Sequence, residues 1–292
     1  MDFGRLVVAM ATPFKPDQSI DLDRAAELAR RLVAEGVEGL VISGTTGESP
    51  TLSRQEKIEL LGAVRKAVKA PLIGNAGTND TRASIQNAKD AEEAGADGIL
   101  LVVPYYNKPD QGMLYDHFAA IAGSVRIPSM LYNVPGRTAV SLRPETVVKL
   151  SREVPNIKAV KEASGDLDAL TLIVREAAPG FVTYTGEDSL TLPSLAVGAY
   201  GVVSVTGHVA APIMREMIGA YLAGDVAKAA GLHGRLYALN KALFMQPNPV
   251  PVKAALRLCG FDVGGLRPPL KAASAEVEAA LLAALEALGL AR

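Results

Sequence analysis

Residues 181–214 read FVTYTGEDSLTLPSLAVGAYGVVSVTGHVAAPIM, and from Ser189 to Met214 they contain no Lys, Arg, Asp or Glu. A charge-free run of that length is long enough to cross a bilayer as a helix. Pro193, Gly198, Gly201, Gly207 and Pro212 interrupt it, however, so it reads as a buried helix, a buried strand and a loop in succession. The strand ahead of it, Phe181–Thr185, and the strand inside it, Gly201–Val205, are then parallel neighbours joined by the short helix Leu190–Ala196. The same alternation recurs upstream, with strands expected at Val7–Ala11, Gly39–Ser43, Leu72–Asn75, Gly98–Val102, Ser129–Tyr132 and Ile157–Lys161. Helices fill the gaps at Leu22–Ala34, Arg54–Val68, Thr81–Ala94, Met113–Ala122, Pro144–Leu150 and Leu167–Ala177, with Gly36 and Gly95 placed as stops.

Eight strands, each followed by a helix, predict an α/β fold, a closed (β/α)8 TIM barrel over residues 1–211. An open doubly wound sheet is the other arrangement the pattern allows. Helix continues through Pro212–Ala223, Val226–Phe244, Val250–Cys259 and Ala272–Leu288, which exceeds one closing helix, so residues 212–292 are expected to form a C-terminal helical appendage. Its last segment, EVEAALLAALEALGL, has an acidic polar face and is expected to pack on protein rather than on a membrane surface.

A formal net charge of −1 leaves no single-sign field to draw nucleic acid or acidic membranes, so a small molecule is the expected partner. The one cysteine, Cys259, has no second thiol for an internal disulfide and is read as core packing. The N-terminal MDFGRLVVAMATPFKPD lacks the basic start, long apolar stretch and cleavage site of a secretory signal, and a cytoplasmic location is expected.

Barrels of this kind place their chemistry at the C-terminal ends of the strands. Four polar clusters fall there: Ser43–Ser49 (SGTTGES), Pro104–Asn107 (PYYN), Tyr132–Arg137 (YNVPGR) and Lys161-Glu162. Strand alternation puts Ile157, Ala159 and Lys161 on one face, so an inward phase aims Lys161 at the barrel mouth. A Schiff base needs the neutral amine, which an apolar barrel interior favours by desolvation. The competing reading of Lys161 is a surface lysine at a strand end, the usual place for lysine. Thr45 and Thr46 lie in a glycine-bracketed turn before a helix, where free N–H groups can bind a carboxylate. A Thr-rich cap is the plainer reading of that turn, with Glu48 and Ser49 serving as caps. Thr45 also stands where a phosphate loop begun at Gly39 would need lysine, so this is not a nucleotide loop.

Tyr106 and Tyr132 could each relay a proton through Thr45, or could simply be packed phenols. Arg137 could clamp a carboxylate with its planar fork, or could be a solvated loop residue. His117, His208 and His233 form no pair at metal-ligand spacing, so a metal-dependent aldolase is not expected. GxSxG and GxGxxG motifs are also missing from the sequence.

Taken in order, GTTGES at 44–49, PYYN at 104–107, YNVPGRT at 132–138, VKEASGD at 160–166, GVVSVTGH at 201–208 and NPVPVKAAL at 248–256 span essentially the whole chain. Together they resemble the dihydrodipicolinate synthase family, within the wider class I pyruvate-dependent aldolases. The resemblance implies Lys161 as the Schiff-base lysine, Tyr132 as proton donor and acceptor, and Thr45 as its link to Tyr106. It implies that Tyr106 reaches a neighbouring subunit's site in a homotetramer built as a dimer of dimers. It further implies that Thr46 binds the pyruvate carboxylate, that Gly186 and Val203 line the pocket through their backbones, and that Arg137 holds the carboxylate of L-aspartate 4-semialdehyde. Asn75-Ala-Gly77, Ala139 and Gln246 depart from the family's usual pattern.

The implied activity is condensation of pyruvate with L-aspartate 4-semialdehyde to 4-hydroxy-tetrahydrodipicolinate, in lysine biosynthesis, with no metal or organic cofactor required. Two alternatives stay open: a class I aldolase acting on a 2-keto-3-deoxy sugar acid or 4-hydroxy-2-oxoglutarate, and a non-catalytic barrel used for binding. Lysine-sensitive relatives bind lysine at the tight dimer interface. The matching stretch here reads Ser49-Pro50, Arg54, Lys57, Asn79, Ala83 and Tyr105, with cations at 54 and 57 and no carboxylate at 83, so weak lysine inhibition is expected.

Overall fold

A computed structural model describes residues 3–291. Eight parallel strands close into a barrel in sequence order: β1 Leu6–Ala9, β2 Gly39–Ile42, β3 Leu72–Asn75, β4 Gly98–Val102, β5 Ser129–Asn133, β6 Ile157–Glu162, β7 Val182–Thr185 and β8 Gly201–Ser204. The helices of the first half are α1 Leu22–Ala34, α2 Arg54–Ala67, α3 Thr81–Glu93, α4 Gln111–Ala122, α5 Pro135–Thr138 and α6 Pro144–Glu153. Those of the second half are α7 Leu167–Glu176, α8 Thr191–Ala196, α9 Gly207–Leu222, α10 Val226–Ala242, α11 Val250–Leu258 and α12 Ala275–Ala287. The open-sheet alternative is thereby excluded.

By internal packing the chain divides into two compact units. One comprises the residues up to Arg5 with Pro71–Val203, and the other Leu6–Ala70 with the chain from Ser204 onward. In the first, β4, β5, β6 and β7 pair in succession, and Gly98–Leu101 and Ser129–Leu131 are buried throughout. Burial on both faces is what parallel strands covered by helices require, and it explains their near-continuous apolar sequence. Phe3 packs so closely on Gly98 that a Cβ there would lie 2.5 Å from Phe3 Cζ, and the Phe3 N–H donates to Tyr184 Oη at 3.2 Å.

In the second unit, α1 buries Ala25, Leu28, Ala29 and Leu32, the three-and-four spacing of one helix face. Each of those leucines contributes about 1.5–3 kcal/mol by leaving water. Ser53 and Glu56 form a reciprocal capping box that starts α2, so Glu48 and Ser49 are not its caps as the sequence suggested. Arg267 ties the C-terminal segment to this region. Its Nη1 donates to Thr51 O at 2.7 Å, its Nη2 to Gln18 O at 2.7 Å, and its guanidinium pairs with Glu56.

The loop expected between β8 and Pro212 holds a short helical turn. α9 starts at Gly207 and carries a kink with non-helical backbone at Ala210. Beyond that break the helix runs on to Leu222, and Pro212, which lacks an N–H, sits in its first turn, close to where the sequence reading began the helix. No helix among the described residues is long and apolar enough to cross a membrane.

Candidate active site

β6 carries Lys161 opposite Tyr132 on β5 and Tyr184 on β7. A pairing irregularity at Ser129/Met130 sets Lys158 out to solvent, and from Ala159 onward the strand is buried and in regular register. The Lys161 side chain is buried, at 6% exposure, with Nζ 4.3 Å from the centroid of the Tyr132 ring. Lysine is almost never buried without an anionic partner. Lys161 nevertheless makes no ion pair among the described residues, whereas the other buried lysine, Lys253, lies 2.6 Å from Glu48. That contrast marks Lys161 as the buried lysine without an ionic partner among the described residues.

Gly186, just past β7, gives Lys161 its room. A Cβ at that position would lie 2.6 Å from Lys161 Cε and 2.6 Å from Ala163 Cβ. The Gly186 N–H is already spent on Glu162 O at 2.7 Å, so any backbone contact with a ligand falls to its carbonyl. Val203, on β8, is fully buried.

Behind Lys161 and Tyr132, their successors in sequence form a buried polar lock. Asn133 Nδ2 donates to Glu162 Oε2 at 2.9 Å, Ser164 N–H donates to Glu162 Oε1 at 2.7 Å, and Asn133 Oδ1 accepts from Leu142 N–H at 2.9 Å. Burial pushes the Glu162 carboxyl above the usual carboxylate range, opposed by those hydrogen bonds. The lock ties the ends of β5 and β6 to the segment that follows α5.

α5 is a single turn missed by sequence reasoning, because Pro135-Gly136 reads as a turn dipeptide. It presents Arg137, which is exposed and whose guanidinium makes no hydrogen bond or ion pair among the described residues, its backbone N–H donating to Val134 O at 2.9 Å. Ala139 ends it at φ 59°, a left-handed conformation that favours glycine, which gives physical meaning to this departure from the family pattern. Tyr106, after β4, is likewise left-handed at φ 76° and is 90% exposed. Such strain in a bulky residue concentrates at functional positions.

In the other unit, the turn after β2 holds Ser43 at φ 57° and Glu48 at φ 56°. Thr12 Oγ1 donates to Gly47 O at 2.7 Å, and Glu48 N–H donates to Thr45 O at 3.0 Å. The N–H groups of Thr45, Thr46 and Gly47 donate no hydrogen bond among the described residues, an arrangement suited to an anion. The Thr46 side chain is buried and its Oγ1 accepts from Asn248 Nδ2 at 2.8 Å.

His208 Nε2 accepts from Ala11 N–H at 3.0 Å while Nδ1 lies 2.8 Å from Val205 O, which fixes a neutral ring. Burial holds both His208 and His117 down at about 4. No group of three or more metal-ligating side chains comes together among the described residues.

Residues 2–288 match the model of the dihydrodipicolinate synthetase family. A relative from Moorella thermoacetica, named 4-hydroxy-tetrahydrodipicolinate synthase, is 52% identical over 292 residues, 99% of this chain and 100% of its own. Among solved structures, the enzyme from Cyanidioschyzon merolae with lysine bound superposes with a TM-score of 0.97 at 44% identity, covering 99% of each chain. The Acinetobacter baumannii enzyme complexed with pyruvate gives 0.95 at 36% identity, covering 99% of this chain and 100% of its own.

Proposed function

We propose, from the premise that this chain belongs to the dihydrodipicolinate synthetase family, that the cluster around Lys161 condenses pyruvate with L-aspartate 4-semialdehyde. The activity is that of a 4-hydroxy-tetrahydrodipicolinate synthase, a lyase of lysine and diaminopimelate biosynthesis. One observation carries the assignment of the site: a buried lysine amine with no ionic partner, seated on a tyrosine ring at the C-terminal end of a barrel strand.

Lys161 Nζ adds to the carbonyl carbon of pyruvate, and loss of water leaves an imine whose positive nitrogen withdraws electrons. The pyruvate methyl carbon then gives up a proton, forming an enamine that attacks the aldehyde carbon of the second substrate. That substrate's own amine next adds to the imine carbon, expels Lys161 and closes the ring. Tyr132, within reach of the amine, donates and accepts the protons, and Thr45 links it to Tyr106 of the partner subunit. Thr46 and the free N–H groups beside it take the pyruvate carboxylate. The Gly186 carbonyl and the Val203 backbone line the pocket, and Arg137, uncommitted within the chain, forks onto the carboxylate of the semialdehyde.

An aromatic that is 90% exposed and backbone-strained supports a Tyr106 that is covered on assembly, hence a homotetramer built as a dimer of dimers. In this reading residues 1–211 carry the chemistry and 212–292 the helical appendage.

A coupled assay settles the substrate. Turnover is expected with pyruvate plus aspartate semialdehyde and not with pyruvate plus sugar aldehydes. Arg137→Lys should raise the semialdehyde KM while pyruvate imine formation persists. Faster turnover with a sugar partner, or equal damage by Arg137→Lys to both steps, contradicts the proposal.

A further inference from the structure

The stretch NPVPVKAAL, Asn248–Leu256, takes no part in the roles assigned above, yet two of its side chains reach the 44–49 turn. Asn248 Nδ2 donates to Thr46 Oγ1 at 2.8 Å. Five residues on, Lys253 Nζ lies 2.6 Å from Glu48 Oε1 and donates to Gly265 O at 2.7 Å. The Lys253–Glu48 contact is a buried ion pair, with both side chains almost fully withdrawn from solvent. Glu48 Oε2 accepts the Arg267 N–H at 2.9 Å. The turn is thus gripped at Thr46 by Asn248, just ahead of α11, and at Glu48 by Lys253 within that helix.

The direction of the first hydrogen bond matters. A threonine hydroxyl has one proton and two lone pairs. With a lone pair of Thr46 Oγ1 taken by the amide, its proton is left to donate outward, to an acceptor. A carboxylate is the acceptor that a buried hydroxyl flanked by free backbone N–H groups suits best. Asn248 Oδ1, itself buried, accepts no hydrogen bond among the described residues, so the bond to Thr46 is the one side-chain hydrogen bond this amide makes there.

We propose that Asn248 is a positioning residue for the first substrate: its amide fixes Thr46 as a hydrogen-bond donor toward the pyruvate carboxylate, and the Lys253–Glu48 pair holds the turn that presents it. This rests on the assignment of Thr46 as a pyruvate ligand. The C-terminal appendage then belongs to the catalytic architecture rather than to assembly alone. Replacing the amide by a carboxylate of the same shape reverses the hydrogen bond, because the aspartate side chain in Asn248→Asp would accept the Thr46 proton and place a negative charge beside an anionic ligand. Simple truncation leaves the hydroxyl free to rotate and still donate.

The test measures the pyruvate concentration that gives half-maximal borohydride trapping, alongside the thermal melt, in the full-length chain. Asn248→Asp should raise that concentration about ten- to a hundred-fold, the value of one charge-assisted hydrogen bond. Asn248→Ala should raise it only a few-fold. A purely structural asparagine predicts the opposite order, and Asn248→Asp that folds and traps like the parent, or better than Asn248→Ala, overturns the proposal. A second arm pairs Glu48→Gln with Lys253→Met, which removes both buried charges at nearly constant volume. Pyruvate half-saturation should rise with little loss of melting temperature, and an unchanged value overturns the clamp. Thr46→Val separates the two levels of the argument. If it leaves pyruvate half-saturation at the parent value, the Thr46 assignment itself fails. If it raises half-saturation while Asn248→Asp does not, the positioning role alone fails.

Discussion

Gly186→Ala puts one methyl group where Lys161 now lies. The new Cβ would sit 2.6 Å from Lys161 Cε, 3.2 Å from Lys161 Cγ and 2.6 Å from Ala163 Cβ. Carbon atoms settle at roughly 3.5–4.0 Å, so about 1 Å of overlap must be relieved. Ala163 has only its backbone to move, and the lysine chain is the softer neighbour. Gly186 has no left-handed backbone, so the cost is steric, about 1–3 kcal/mol for overpacking. The melt should therefore fall by only a few degrees in a chain of this size. The chemistry should suffer far more, because a misplacement of about 1 Å costs on the order of a hundred-fold in rate. The assay is the rate of borohydride-trapped pyruvate adduct, followed by intact mass, with a melt on the same sample. A Gly186→Ala variant that melts near the parent and traps pyruvate at the parent rate would refute the placement of Lys161 against Gly186.

Three more outcomes are expected. Tyr106→Phe should lower turnover without unfolding the chain, and mixing it with Lys161→Ala should restore activity in mixed oligomers; mixed dimers that stay inactive would mean that each site is built from one chain. Free lysine should inhibit weakly, because Arg54 and Lys57 bring cations and Ala83 offers no carboxylate; strong submillimolar inhibition in a lysine titration at saturating pyruvate would contradict this. The Arg267 hydrogen bond lowers Glu56 to about 2, so its contribution is present above the unfolded value near 4.5 and is lost as pH falls through about 2. Arg267→Met should therefore flatten the acid limb of the melting temperature between those values, and an acid limb identical to the parent's would show the pair to be inert.

Much of this site was legible in the sequence because it lies where local rules apply. The ranges Leu22–Ala34, Leu72–Asn75 and Gly98–Val102 fall where apolar periodicity and bounding glycines or caps place them. Strand alternation also brought Lys161 to the buried face. Local rules failed where tertiary packing overrides them. Pro135-Gly136 looks like a turn and yet opens a helical turn, and the stretch before Pro212 that reads as a loop holds another at Gly207. Contacts distant in sequence left no trace at all. Asn248 and Thr46 are 202 residues apart, and no periodicity links them. The Glu162–Asn133 lock was equally hidden, although each partner directly follows a residue that the motifs had singled out.

The central claim is that Lys161 forms the covalent link to pyruvate. Incubation with pyruvate and borohydride, followed by peptide mapping, should find one reduced pyruvyl group per chain on the peptide containing Lys161, with loss of activity in proportion and no labelling of Lys161→Ala. A label on any other lysine, including the buried Lys253, or inactivation without a covalent adduct, would contradict the account.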